Sequence, residues 1–110
     1  MNAAKQSPRM ESDGTLRWYA GDTFSLTFNF TLKDPGGNPI TIDPTDKINI
    51  KFLKFGVVVH EFDFTGTASP TVVFTSAISS KFTEGVYGIV AKFNSTNVTT
   101  LLKNNKVVVE

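Results

Sequence analysis

TFSLTFNFTLK, residues 23–33, alternates without a break. Phe24, Leu26, Phe28, Phe30 and Leu32 share one parity, and Thr23, Ser25, Thr27, Asn29, Thr31 and Lys33 share the other. On an extended chain that parity sends the large apolar side chains to one face and the polar ones to the opposite face. On a helix a period of two scatters the same five residues around the axis and leaves no apolar stripe. The stretch is a long, half-buried β-strand, so the rest of the chain has to supply a layer that covers it.

Working outward, the neighbours read the same way. Upstream, residues 16–20 form a short strand with Leu16, Trp18 and Ala20 on one parity, closed by the turn pair Gly21-Asp22. Downstream, Asp34-Pro35-Gly36-Gly37-Asn38-Pro39 is turn chemistry, and Asp43-Pro44-Thr45-Asp46 is a second turn. Residues 47–54 alternate, with Ile48, Ile50 and Phe52 together. Phe55-Gly56 is a hairpin turn into a strand where Val58, His60, Phe62 and Phe64 share a face. Residues 71–75 form a short strand around Val72 and Phe74. Residues 76–84 lose the period of two, and Ala77, Ile78 and Phe82 have the spacing of one helical turn, stopped by Gly85. Residues 86–94 place Tyr87, Ile89, Ala91 and Phe93 on one side. After a loop at 94–97, residues 98–102 and 106–109 form the last strand or pair, broken or bulged at Asn104-Asn105.

About seven to nine short strands with at most one short helical turn suit an all-β antiparallel sandwich rather than a βαβ fold. The 110 residues make one domain. Residues 1–15 are polar and without period and are expected to be a flexible N-terminal arm, leaving 16–110 as the sandwich.

Composition narrows the function classes. The formal charge is +1 and the Lys and Arg residues are dispersed, so neither a nucleic-acid footprint nor an anionic-membrane footprint is visible. No apolar run reaches the length of a membrane helix, and the N-terminus lacks the apolar core of a secretory signal. Without Cys there are no disulfides, thiolate zinc sites or Cys nucleophile.

Each residue that could carry chemistry has a plainer role. His60 is the one histidine, set between Val58 and Phe62 on the apolar parity, and no Gly-x-Ser-x-Gly elbow displays a nucleophile for it. Asp34, Asn38, Asp43 and Asp46 could offer oxygens to Ca²⁺, but these residue types also cap turns, and EF-hand spacing is missing. Glu61 and Asp63 share a strand face, yet Val57 and Val59 build no cleft around them as glycoside hydrolysis requires. Of the adjacent pair Trp18 and Tyr19 only one can be core. Trp18 is expected inside and Tyr19 outside, where an exposed ring could stack on a sugar or a partner. The sequons at Asn29, Asn94 and Asn97 match the Thr- and Ser-rich outer faces of strands and carry no information. No catalytic, cofactor-binding or metal residue is assigned, and no cofactor.

Two patterns carry a resemblance. Phe82-Thr83-Glu84-Gly85-Val86-Tyr87 resembles the crossover into strand F of immunoglobulin-like sandwiches, where a Tyr near the strand start anchors the corner by its hydroxyl. More broadly, Gly21-Asp22, the alternating strand, the Lys33 to Ile40 turn, the strand from Ile48 to Phe52, and Phe82-x-x-Gly85-x-Tyr87 follow in order. That order resembles the immunoglobulin-like N-terminal domain of phage baseplate upper proteins and related tail components, over residues 18–110. The resemblance implies a non-enzymatic structural module of a phage or prophage tail or baseplate. It would act through protein–protein contacts, in the virion or in the bacterial cytoplasm before assembly. Expected partners are other tail or baseplate proteins and further copies of the chain, reached through an edge strand or the N-terminal arm, with no nucleic acid and no membrane. The alternative is a carbohydrate-binding or adhesive module using Tyr19 and loop residues.

Overall fold

The computed structural model describes residues 8–34, 36–94 and 98–110. Eight strands among them form two sheets, with one helical turn. In chain order they are β1 (Arg9–Met10), β2 (Leu16–Trp18), β3 (Phe24–Thr27), β4 (Lys47–Lys54), β5 (Val57–Thr65), β6 (Thr71–Phe74), α1 (Ser76–Ser79), β7 (Gly85–Asn94) and β8 (Val98–Val109). The larger sheet runs β1-β2-β8-β7-β4-β5, and β3-β6 form the smaller one. This is an all-β sandwich. One pairing departs from the antiparallel expectation, because β2 runs parallel to β8, with Leu16 beside Val107 and Trp18 beside Val109.

The deciding stretch behaves as its parity dictates. From residue 23 to residue 33 exposed positions alternate strictly with half-buried or buried ones. Its regular ladder is shorter than expected and ends at Thr27. Beyond it, Phe28 N–H still donates to Pro70 O (2.9 Å) and Phe30 N–H to Ala68 O (2.9 Å). Pro70 has no N–H to return, so the second bond of that pair cannot form and the ladder loosens there.

The two inner faces meet around Trp18, which is fully buried. Its ring centroid lies 5.1 Å from Phe24 and 5.1 Å from Phe74 on the small sheet, 6.2 Å from Phe52 on β4, and 5.7 Å from Phe82. Such spacings, mostly tilted or edge-on, are the favoured aromatic geometries. Ile48, Ile50, Tyr87, Ile89, Ala91, Phe93, Val107 and Val109 complete the core from the large sheet.

The crossover from β6 to β7 is ordered by local bonds. Thr75 caps α1, its hydroxyl accepting from Ile78 N–H at 3.4 Å. The helix is the single turn expected, and Ser79, not Ala77, is the residue it buries. Phe82 then enters the core, and Tyr87 Oη donates to Thr83 O at 2.8 Å. That bond is the corner anchor the sequence implied.

Three expectations change. Residues 9–15 are not an arm: β1 pairs with β2, and Glu11 to Thr15 form a turn closed by Glu11 N–H donating to Thr15 O (2.8 Å). Charge holds them, as Arg9 and Arg17 lie 2.6 Å from Glu110 and Glu11 respectively. Residues 1–7 lie outside the described residues, as do Pro35 and the expected loop at 95–97. Second, residues 98–109 are one strand and not a pair: β8 lies between β2 and β7 and carries the irregularity expected at Asn104-Asn105. Its register slips at two places, where Ile89 faces Asn105 but Val90 faces Lys103, and Ala91 faces Leu102 but Lys92 faces Thr100. The second slip lets Leu101 and Leu102, adjacent in sequence, both pack on the core. Third, Phe52 faces His60 while Leu53 faces Val58, so Val59 is an extra residue in β5. This bulge turns Val59 toward the core and leaves Val58 exposed, reversing the parity read from the sequence.

Replacing Tyr87 with Phe keeps the ring and deletes the corner bond. The expected loss is about 1 kcal/mol in urea unfolding with an unchanged m-value, because Thr83 is exposed and its carbonyl can turn to water.

Candidate functional site

The residues with chemical potential are spent on structure. His60 is half-buried, its ring edge-on to Phe62 at 4.7 Å. Its Nδ1 lies 3.3 Å from Lys81 Nζ, so neutral His60 accepts from an ammonium instead of activating a hydroxyl. Removal from water lowers its pKa below 6.5, the Lys81 charge lowers it further, and Glu61 opposes both. Glu61 and Asp63 stand on the outer face of β5, where Asn49 Nδ2 donates to Asp63 Oδ1 (2.8 Å) and Glu61 Oε2 (3.3 Å).

The turn acids cap their own turns. Asp34 Oδ1 accepts from Asn38 N–H (2.9 Å) and Asp46 Oδ2 from Asp43 N–H (2.9 Å). Among the described residues no three His, Asp or Glu gather as a cation site. Trp18 is inside, as expected, while Tyr19 is half-buried with the Arg9 guanidinium 5.8 Å from its ring centre. No helix among the described residues is long and apolar enough to cross a membrane.

Two features are not accounted for by folding. The first is the β4–β5 hairpin tip. Phe55 (φ 53°) and Gly56 (φ 77°) both have positive φ, as a type I′ turn requires. Gly suits that geometry, and Asn or Asp would suit the first position. Phe does not, because its Cβ crowds the backbone in the left-handed region. The ring is 94% exposed, and its contact is the Lys54 ammonium 6.0 Å from its centre. Lys54, just before it, sits between two rings: its Nζ lies 3.4 Å from Thr83 Oγ1 and from Glu84 O, 5.2 Å from the Tyr87 ring centre and 6.0 Å from the Phe55 ring centre.

The tip does not stand alone. Val57 is 67% exposed, Val86 56% and Val58 is exposed beside them. On the outer face of the large sheet, Leu53 faces Gly88 and Val58, and Val86 faces Val108. Val86, Gly88 and Val90 are outward residues of β7, whose sequence GVYGIVA is apolar on both parities. A strand read in that way is one covered on both faces, and here Val86 stands exposed on the outer face. The sequence held this signal, but the alternation of Tyr87, Ile89, Ala91 and Phe93 drew attention to the inner face alone.

The second feature is a half-open cleft of about 250 Å³ beyond the other end of β4. Leu32, Ile40, Phe93 and Leu101 form its apolar walls, with Thr31, Lys33 and Thr100 around them. No family model, curated protein or solved structure matches the chain.

Two outcomes follow from the local physics. Phe55→Asn should raise stability by about 1 kcal/mol, since Asn tolerates positive φ and no buried contact is lost; chemical denaturation measures it. For His60 the fold favours the neutral ring. Stability is therefore full above the unfolded pKa near 6.5 and falls as pH drops through it, until His60 is protonated in the fold as well. His60→Gln should flatten that decline in melting curves taken across the window.

Proposed function

We propose that this chain is a non-enzymatic assembly module, a β-sandwich that joins a larger particle through protein–protein contacts at the β4–β5 end. The observation that carries the reading is Phe55, an exposed aromatic on strained backbone. Strain kept without a packing return points to use, and buried aromatics are the anchors that dominate protein interfaces. Val57, Val58 and Val86 extend the anchor into an apolar patch. The residues best suited to catalysis are engaged elsewhere: His60 with Lys81, and Glu61 and Asp63 with Asn49.

The resemblance to the immunoglobulin-like domain of phage baseplate upper proteins gives this module a setting. On it, the partners are other tail or baseplate proteins and the working place is the virion. The tyrosine corner and the sandwich fit that setting, as they fit other immunoglobulin-like modules. The carbohydrate-binding alternative rests on Tyr19, whose ring packs beside Arg9 instead of offering an open face.

The test is co-expression of the chain with the products of its flanking genes, followed by titration of any complex. Binding weakened at least about tenfold by Phe55→Asn is expected from loss of one aromatic anchor. Failure to bind any of them, together with retention on a panel of cell-wall or host glycans, would transfer the function to the adhesive class.

A further inference from the structure

We propose that copies of this chain join end to end, the Phe55 ring of one entering the cleft between Ile40 and Leu101 of the next. The inference rests on the assembly reading above and names one partner for it, a second copy.

The knob and the cleft lie at opposite ends of β4. Phe55 follows Lys54, the last residue of the strand, while Ile48 near its start pairs with Phe93, which lines the cleft. Eight residues of strand separate them, roughly 26 Å at ~3.3 Å per residue, in a molecule 51 Å long and 26 × 24 Å across. Size permits entry: a cavity of ~150 Å³ walled by Leu, Ile and Phe holds benzene, and this cleft offers about 250 Å³. Its apolar walls are the same residue types, bordered by Thr31, Lys33 and Thr100, and Ile40 is itself exposed at the mouth.

Charge favours the same contact. Among the described residues the ion pairs all join Arg9 or Arg17 to Glu11 or Glu110. Lys33 at the cleft and Glu84 beside the knob thus have no ionic partner among the described residues. End-to-end contact brings the Lys33 ammonium toward the Glu84 carboxylate and the face of the Phe55 ring, attractions that outweigh the Lys54 ammonium 6.0 Å from that ring only if Lys33 meets the opposite face.

At the two edges of the large sheet strand addition, the usual route for a β-module, is blunted. The β5 edge carries a bulge at Val59 and the acids Glu61 and Asp63, and the β1 edge is two residues long. These are devices that discourage edge pairing. A side-chain knob avoids them. Because knob and cleft are different surfaces, the contact is heterologous and repeats, closing as a ring or running on as a filament. One aromatic anchor makes a small interface, so the dissociation constant should be on the order of 100 μM.

Sedimentation equilibrium of the full chain, from micromolar to millimolar, tests this. The parent should pass from monomer to a series of oligomers. Phe55→Asn, which retains the turn and the cleft, should stay monomeric, and Ile40→Glu, which retains the knob and fills the mouth with charge, should do the same. Mixed in equal amounts, the two variants should form a heterodimer and stop, since one intact contact remains. Circular dichroism melts confirm that each variant is folded. A parent that stays monomeric at the highest concentration overturns the proposal, as does Phe55→Asn associating like the parent, or a mixture that does not pair. If the parent is monomeric yet binds a flanking-gene product through Phe55, the end-to-end contact falls and the assembly reading stands.

Discussion

The contact on which the structure depends is Trp18 wedged between the sheets. It belongs by pairing to the large sheet, through β2, yet its nearest rings are Phe24 and Phe74 of the small one. A two-stranded sheet is not stable alone in water and needs a hydrophobic face to lie on. Here Trp18, Phe52 and Phe82 supply much of that face, and Phe24 and Phe74 stack on each other at 4.6 Å to meet it. Placing Trp18 there requires β2 to reach across to β8. That parallel ladder continues past the strand ends, with Glu110 N–H donating to Trp18 O and Ala20 N–H to Glu110 O. The charge cluster of Arg9, Arg17, Glu11 and Glu110 then clamps the outer side of the same ladder. Core and ion cluster sit on opposite faces of one short strand, which is how a three-residue element holds a place beside twelve-residue β8.

Much of this was legible along the chain wherever one side chain in two is buried and the partner strand is regular. Residues 23–33, 47–52 and 87–93 read correctly because burial imposes the period of two directly on sequence. What did not read is set by pairing across distance. The bulges at Val59 and Leu101 are decided by the strands opposite, and each moves neighbouring residues to the other face. The internal position of β8 depends on a parallel partner about ninety residues away in sequence, which local pattern does not encode. Residues 9–15 looked like an arm because polar composition marks disorder only when the charges lack partners, and Arg9 and Glu11 find theirs on β2 and Glu110.

The site divides in the same way. The residues singled out for chemistry were visible because their types are chemically conspicuous, and the fold assigns them to caps and surface bonds. Phe55 was read only as part of a turn. Its meaning lies in a backbone angle and an exposure, and neither is written in residue type. A Phe-Gly pair reads as a hairpin from sequence, whereas φ of 53° under a ring with no buried contact reads as an expense that folding does not require.

Rigidity ties that tip to the rest of the molecule. Lys54 turns back from the hairpin to Thr83, Glu84 and Tyr87, and a Cβ on Gly85 would stand 2.9 Å from its Nζ. Tyr87 holds Thr83 in turn, and Phe82 beside it is packed against Trp18. A continuous set of contacts therefore runs from the intersheet core through the corner to the base of the hairpin. An anchor held by its base costs less entropy to dock than one on a free loop. The same constraint that joins the two sheets thus also fixes the direction in which Phe55 is presented. The core and the proposed docking surface are one mechanical unit, with the Tyr87–Thr83 bond as the link between them.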